Sequence, residues 1–114
     1  MYGHWDISEV GEFDPANFFG FVYQISLWIG GETFVYIGRK AFSSSPKWQN
    51  YKSSSSSVKN LRREAEKVEY TILELAKTKR ELTYLEAKYL FTNNVLESDR
   101  FLNRNILGRF FSQK

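Results

Sequence analysis

The sequence predicts an α+β fold, a small three-stranded sheet flanked by helices, and three observations carry that prediction. Two apolar and aromatic runs within Gly20 to Lys40 meet at Gly30-Gly31, and a third run, Val68 to Ala76, alternates at its start. Stretches 56 to 67 and 79 to 92 have apolar residues at helical spacing and lie on either side of the third run. A length of 114 residues suits one domain, 1–114, with a single core.

Residues 1 to 17 mix turn formers with charges, so little regular structure is expected there beyond a turn at Asp14-Pro15-Ala16-Asn17. Trp5 and Phe13 are expected to pack this lead-in onto the core. The hairpin follows. With Gly30 and Gly31 as the two loop residues, Ile29 faces Glu32, Leu27 faces Phe34 and Ile25 faces Tyr36. Tyr23 then lies diagonal to Tyr36 on the same side of the sheet, within reach of one bound group.

Residues 41 to 57 hold eight serines and one proline around Lys47-Trp48-Gln49-Asn50-Tyr51 and read as a loop with an aromatic anchor. Ser53 to Ser57 are either a solvated connection or, beside Lys47 and Lys52, a row of hydroxyls and amides for phosphates. Residues 56 to 67 read as a short amphipathic helix through Val58, Leu61 and Ala65, and Val68 to Ala76 as the third strand. Thr78 caps a helix from Lys79 to Thr92, with Glu81 completing a capping box.

On that helix Leu82, Leu85, Glu86 and Tyr89 share a face, which makes Glu86 the anomalous residue, because an uncompensated buried carboxylate is costly. It either sits at the rim of the face, paired with a lysine or arginine, or faces a polar cleft and holds a divalent cation through oxygen. Asn93-Asn94 stops the helix, and the alternating apolar residues of Phe101 to Ile106 pin Asn103 and Asn105.

Composition narrows the function classes. The chain has no apolar run long enough for a bilayer, no signal peptide before Tyr2-Gly3-His4-Trp5-Asp6, and no cysteine, so an intracellular protein is expected. With a single histidine, His4, any metal falls to oxygen ligands. The net charge of +3 permits a polyanionic partner without requiring one.

Phe21-Val22-Tyr23 and Tyr36-Ile37-Gly38 across a hairpin, a cationic and aromatic segment next, and a helical glutamate near the end together resemble the GIY-YIG nuclease family. The likeness is greatest to small phage-type members related to free-standing homing endonucleases. It rests on Tyr36-Ile37-Gly38-Arg39-Lys40, Trp48-Gln49-Asn50-Tyr51, Ser53-Ser54-Ser55 and the run from Leu82 to Tyr89, and it spans roughly Phe19 to Phe110. The resemblance implies a three-stranded antiparallel sheet and divalent-metal-dependent hydrolysis of DNA, double-stranded in the expected case, in a host cytoplasm. It also implies roles. Tyr23 would be the general base or its relay, Tyr36 would orient water or phosphate, Glu86 would ligate Mg²⁺ or Mn²⁺, and Asn103 would support the site. Arg39, Lys40 or Lys47 with Tyr51 would clamp the phosphate, and Trp48, Lys52, Ser54 and Ser55 would contact the DNA. Where the family often has glycine before the serine pair, this chain has Ser53, and its first motif begins with Phe rather than Gly.

Hydrolysis of a phosphodiester needs an aligned nucleophile, a proton acceptor, a Lewis acid and positive charge at the phosphoryl oxygens. A tyrosine near its ordinary pKa of about 10 is a poor base at neutral pH, so Tyr23 needs a neighbouring cation, with Lys40 or Arg39 the candidates. Ordinary core packing is the alternative for both tyrosines. For the whole chain, the alternatives are a catalytically weak nucleic-acid-binding module with the same fold and a structural phage protein.

Overall fold

β-Branched and aromatic residues on both sides of Gly30-Gly31 form two long strands, β2 (Gly20–Ile29) and β3 (Glu32–Ala41), numbered after a short N-terminal strand described below. Gly30 and Gly31 have φ of 57° and 83°, the positive values that a two-residue hairpin turn of type I′ requires. The register is the expected one, with Ile29 opposite Glu32, Leu27 opposite Phe34 and Ile25 opposite Tyr36. A computed structural model of the chain describes residues 1–44 and 47–112. Ser45 and Pro46 of the serine-rich loop and residues 113 and 114 lie outside the described residues.

The third run forms β4 (Lys67–Ala76), antiparallel to β2. Its alternation shifts at one place. Val22 pairs with Glu74 but Tyr23 pairs with Ile72, so Leu73 is an extra residue in a β-bulge. Up to that point Val68, Tyr70 and Ile72 join the cluster around Phe21 and Tyr23; beyond it Glu74 and Ala76 turn to the opposite face.

The sheet is not the purely antiparallel, three-stranded one implied by resemblance. β1 (Trp5–Asp6) pairs in parallel with β4, giving four strands in the order β1-β4-β2-β3. Burial of Trp5 explains the addition. Its ring packs on Phe21, Tyr23 and Tyr70 and its Nε1 donates to the Trp48 carbonyl at 3.3 Å. This draws the backbone of residues 5 and 6 along the open edge of β4, whose amide and carbonyl groups gain partners.

The sheet is covered on both faces. One carries an aromatic layer of Trp5, Phe21, Tyr23, Trp48 and Tyr70, with Phe13 against it and Val58 of α1 (Ser56–Arg62) buried in it. α1 stops five residues short of the expected 67. Glu66 donates its amide to the Trp28 carbonyl at 2.8 Å and accepts from the Gly30 amide at 3.0 Å, so the chain is already extended for entry into β4. The other face carries α2 (Lys79–Thr92), whose Leu82, Leu85 and Leu90 pack with Val22, Ile37 and Ala76. Thr78 caps it by accepting from the Glu81 amide at 3.0 Å, and Glu81 accepts from the Lys77 amide at 2.8 Å. No helix among the described residues is long and apolar enough to cross a membrane.

After α2 the tail returns along the outer edge of β3. The Val35 amide donates to the Arg100 carbonyl at 2.8 Å and the Leu102 amide donates to the Val35 carbonyl at 2.8 Å, a single parallel bridge between Val35 and Phe101. The tail ends in a hairpin of β5 (Asn105–Ile106) and β6 (Phe110–Phe111), held by buried Ile106.

Candidate active site

A cleft of about 470 Å³ opens between β3, the start of α1, α2 and the tail, lined by Tyr36, Arg39, Ser55, Ser56, Ser57, Glu86, Asn103 and Arg104 among others. Sequence alone spreads these residues over most of the chain. Pairing of β3 with β2 sets Tyr36 diagonal to Tyr23, and their ring centroids lie 6.3 Å apart. Gly38 makes that approach possible: a Cβ there would meet Oη of Tyr23 at 2.5 Å and its Cζ at 2.6 Å.

Glu86 extends from α2 with its side chain 17% exposed, its Oε1 3.6 Å from Nε of Arg39. Nη1 of Arg39 donates to Oγ1 of Thr83 at 2.8 Å, so two residues one turn apart on α2 fix the guanidinium. Burial raises the Glu86 carboxyl above the usual carboxylate range, and the Arg39 charge opposes that rise. Glu86 is ion-paired, as the first expectation had it, and it also lines the polar cleft.

Asn103 is buried and grips the backbone of Ile37 from both sides, Oδ1 accepting from its amide at 3.0 Å and Nδ2 donating to its carbonyl at 2.7 Å. Ile37 lies between Tyr36 and Gly38, so this amide clamp fixes the strand that carries the motif tyrosine.

Tyr23 stands behind the cleft and does not line it. It is only 1% exposed, its hydroxyl donates to Oγ of Ser53 at 3.2 Å, and its ring meets Tyr51 at 5.9 Å between centroids. Burial pushes its hydroxyl above the ordinary tyrosine range, with Tyr51 acting in the same direction and the Ser53 bond opposing. The cation expected to acidify it is elsewhere. Nζ of Lys40 lies over the Tyr51 ring, 4.3 Å from its centroid, and Arg39 is engaged by Glu86 and Thr83. Burial also drives the Tyr36 hydroxyl up to about 12, with the Glu86 charge adding to the effect.

The basic and polar loop residues divide. Trp48, expected as a contact for DNA, is 5% exposed and packed among Phe13, Phe21 and Phe42, so its ring face belongs to the core. Ser55 lines the cleft but its Oγ also accepts from the Val58 amide at 3.3 Å as the cap of α1. Ser54 is exposed and gives its amide to the Tyr51 hydroxyl at 3.2 Å. Lys47 and Lys52 are exposed and line neither the cleft nor its neighbour, and the Lys52 charge is felt at His4. That neighbouring cleft, about 280 Å³, brings Lys40, Lys79 and Tyr51 together with the shared Arg39.

Sequence reasoning named Ser53 only within a row of hydroxyls, without its contact to Tyr23, and missed Arg104. Ser53 has φ of 87°, is buried, and receives the Ser55 amide at 3.1 Å as well as the Tyr23 hydroxyl. Its place where the resemblance implied a glycine was the signal, since positive φ is the conformation glycine supplies. Arg104 had no signal beyond its position between two asparagines.

The donor set can be tested against a divalent metal. Glu86 is the one carboxylate among the lining residues, which otherwise offer hydroxyl and amide oxygens and no sulfur or imidazole. No group of three or more histidine, cysteine or acidic residues gathers among the described residues. A single carboxylate with oxygen neighbours fits an ion of the Mg²⁺ type, which keeps most of its coordination for water and phosphate, and does not fit a structural zinc.

Comparison with protein families gives a match over residues 5–106 to the family described as "Putative endonuclease segE, GIY-YIG domain". Neither the curated proteins nor the solved structures returned a significant match.

Proposed function

The chain belongs to the segE-type GIY-YIG nucleases, and from that premise we propose that it is a single-domain, divalent-metal-dependent endonuclease that hydrolyses phosphodiester bonds of double-stranded DNA. The observation that carries this reading is the convergence of Tyr36, Arg39, Glu86 and Asn103 from β3, α2 and the tail on one cleft. Glu86 would hold Mg²⁺ or Mn²⁺, which when bound would supply Lewis acidity toward a phosphoryl oxygen and toward water. Arg39, paired with Glu86, would neutralise charge on the phosphate while keeping the Glu86 carboxylate oriented. Tyr36, with its hydroxyl protonated at neutral pH, donates a hydrogen bond to water or phosphate rather than removing a proton. Tyr23 acts through Ser53 and Tyr51 as a positioning residue and fixes the rear wall. A role in a phage, acting on DNA in a host cytoplasm in the manner of free-standing homing endonucleases, completes the reading.

One observation favours a second reading, the catalytically weak binding module: Tyr23 is 1% exposed and does not line the cleft, so its hydroxyl does not meet a bound phosphate or its water directly. Incubation of supercoiled plasmid with the protein in Mg²⁺, Mn²⁺ or EDTA, beside Glu86→Ala and Tyr23→Phe, separates the two. The nuclease reading expects metal-dependent nicking, lost in Glu86→Ala and reduced at least tenfold in Tyr23→Phe. Salt-sensitive DNA retention with no cleavage under either metal would establish the binding module instead.

A further inference from the structure

The tail hairpin carries a feature that neither the core nor the cleft chemistry explains. Its turn is closed by the Arg109 amide donating to the Ile106 carbonyl at 3.1 Å, and its central residues Leu107 and Gly108 have φ of 57° and 67°. Glycine is at ease there; a leucine is not, because its Cβ crowds the backbone in the left-handed region. Nor does Leu107 gain burial in return. It is 46% exposed and belongs to neither apolar cluster of the described residues. An apolar side chain held out at the tip of a turn in an unfavourable conformation is an observation from which function is properly inferred.

The base of this finger is firm. Ile106 is 1% exposed, the Phe110 ring meets Phe91 of α2 edge-on at 5.3 Å, and the Ser112 amide and hydroxyl bond the carbonyls of Arg104 and Leu96 at 2.8 and 3.0 Å. The tip is also aimed. Leu107, Gly108 and Arg104 line the same cleft as Glu86 and Tyr36, and Arg109, the residue that follows the turn, is exposed. An apolar tip between two arginines has the charge complementarity for one class of partner, a nucleic-acid duplex, whose phosphates meet the arginines while its base stack receives the leucine.

Building on the nuclease reading, we propose that the 105–111 hairpin is a wedge that inserts Leu107 between base pairs of the duplex in the cleft, unstacking one step and fixing the scissile phosphate at a set distance from it. Steps that unstack readily, pyrimidine followed by purine, are then preferred at that position, so the wedge contributes sequence preference without base-edge hydrogen bonds.

Unstacking unwinds DNA, and this can be read without knowing the target. Relaxed closed-circular plasmid is treated with a metal-independent topoisomerase in EDTA, with the protein near saturation, and then deproteinised. The wild-type protein is expected to leave negative supercoils. Leu107→Asn, which suits positive φ and removes the apolar tip, is expected to leave at least threefold fewer while melting no lower than wild type. The salt slope of DNA retention should be unchanged in that variant, because both arginines remain. Equal unwinding by Leu107→Asn and wild type, or none by a wild-type protein that retains DNA and nicks it in Mg²⁺, overturns the wedge alone. Absence of DNA retention by the wild-type protein overturns the wedge together with the reading beneath it.

Discussion

At Glu86 burial and the Arg39 guanidinium pull the carboxyl in opposite directions, and burial is the larger influence. The folded state therefore holds this proton more tightly than the unfolded chain, whose glutamate titrates near pH 4.3. Between that value and the higher folded one the folded state binds more protons, so stability falls as pH rises through the window. Glu86→Gln keeps the shape and removes the desolvated charge, leaving Arg39, whose side chain is 43% exposed, to water. The variant is expected to be more stable than wild type by about 1 kcal/mol near neutrality, about 4 °C in melting temperature, with the difference vanishing by about pH 4. Melting curves at a series of pH values check this, and a variant that melts lower than wild type at neutral pH would refute it. The anomaly of Glu86 was visible in helical spacing alone. Its salt-bridge partner was not, because Arg39 is 47 positions away and meets it only after α2 packs on the sheet.

Among the elements, β3 depends on two devices that differ in how far sequence reveals them. Its turn was legible, since two glycines between aromatic runs leave one comfortable loop geometry. The clamp on its outer edge was not. The resemblance implied a supporting role for Asn103 but not its form: the tail runs beside Val35 and Ile37, where the Asn103 amide makes both bonds a strand neighbour would make. Asn103→Ala leaves the buried Ile37 amide without its acceptor and is expected to cost about 2–3 kcal/mol. It should also speed hydrogen exchange at Ile37 far more than at Ile25 on the inner strand. Equal protection at both positions would show that the tail does not hold the edge. The bulge at Leu73 was equally invisible, because its effect, turning Glu74 toward the hydroxyl of Tyr89 at 2.9 Å, exists only against a paired strand.

For the molecule as a whole, the modest net charge of +3 matters less than where positive charge gathers. Arg39 and Arg104 line one cleft and Lys40, Lys79 and the shared Arg39 the next, and under the proposed nuclease function these four cations would meet a phosphate backbone. Neutralising about four phosphates implies a loss of affinity of about a hundredfold between about 50 and about 200 mM salt. Retention of a duplex measured in EDTA across that range tests it, and a slope near zero would remove DNA from the partners. Local rules determined the α+β class, the hairpin and its register, the cap of α2 and the tyrosine pair, because each follows from residues close in the chain or from a period imposed by one element. Tertiary structure alone decided that Trp5 adds a parallel strand, that Trp48 is core, that Ser53 receives the Tyr23 hydroxyl, and that Arg39 meets Glu86. These depend on which surfaces meet once the sheet is covered on both faces, and residues tens of positions apart carry no local record of that meeting.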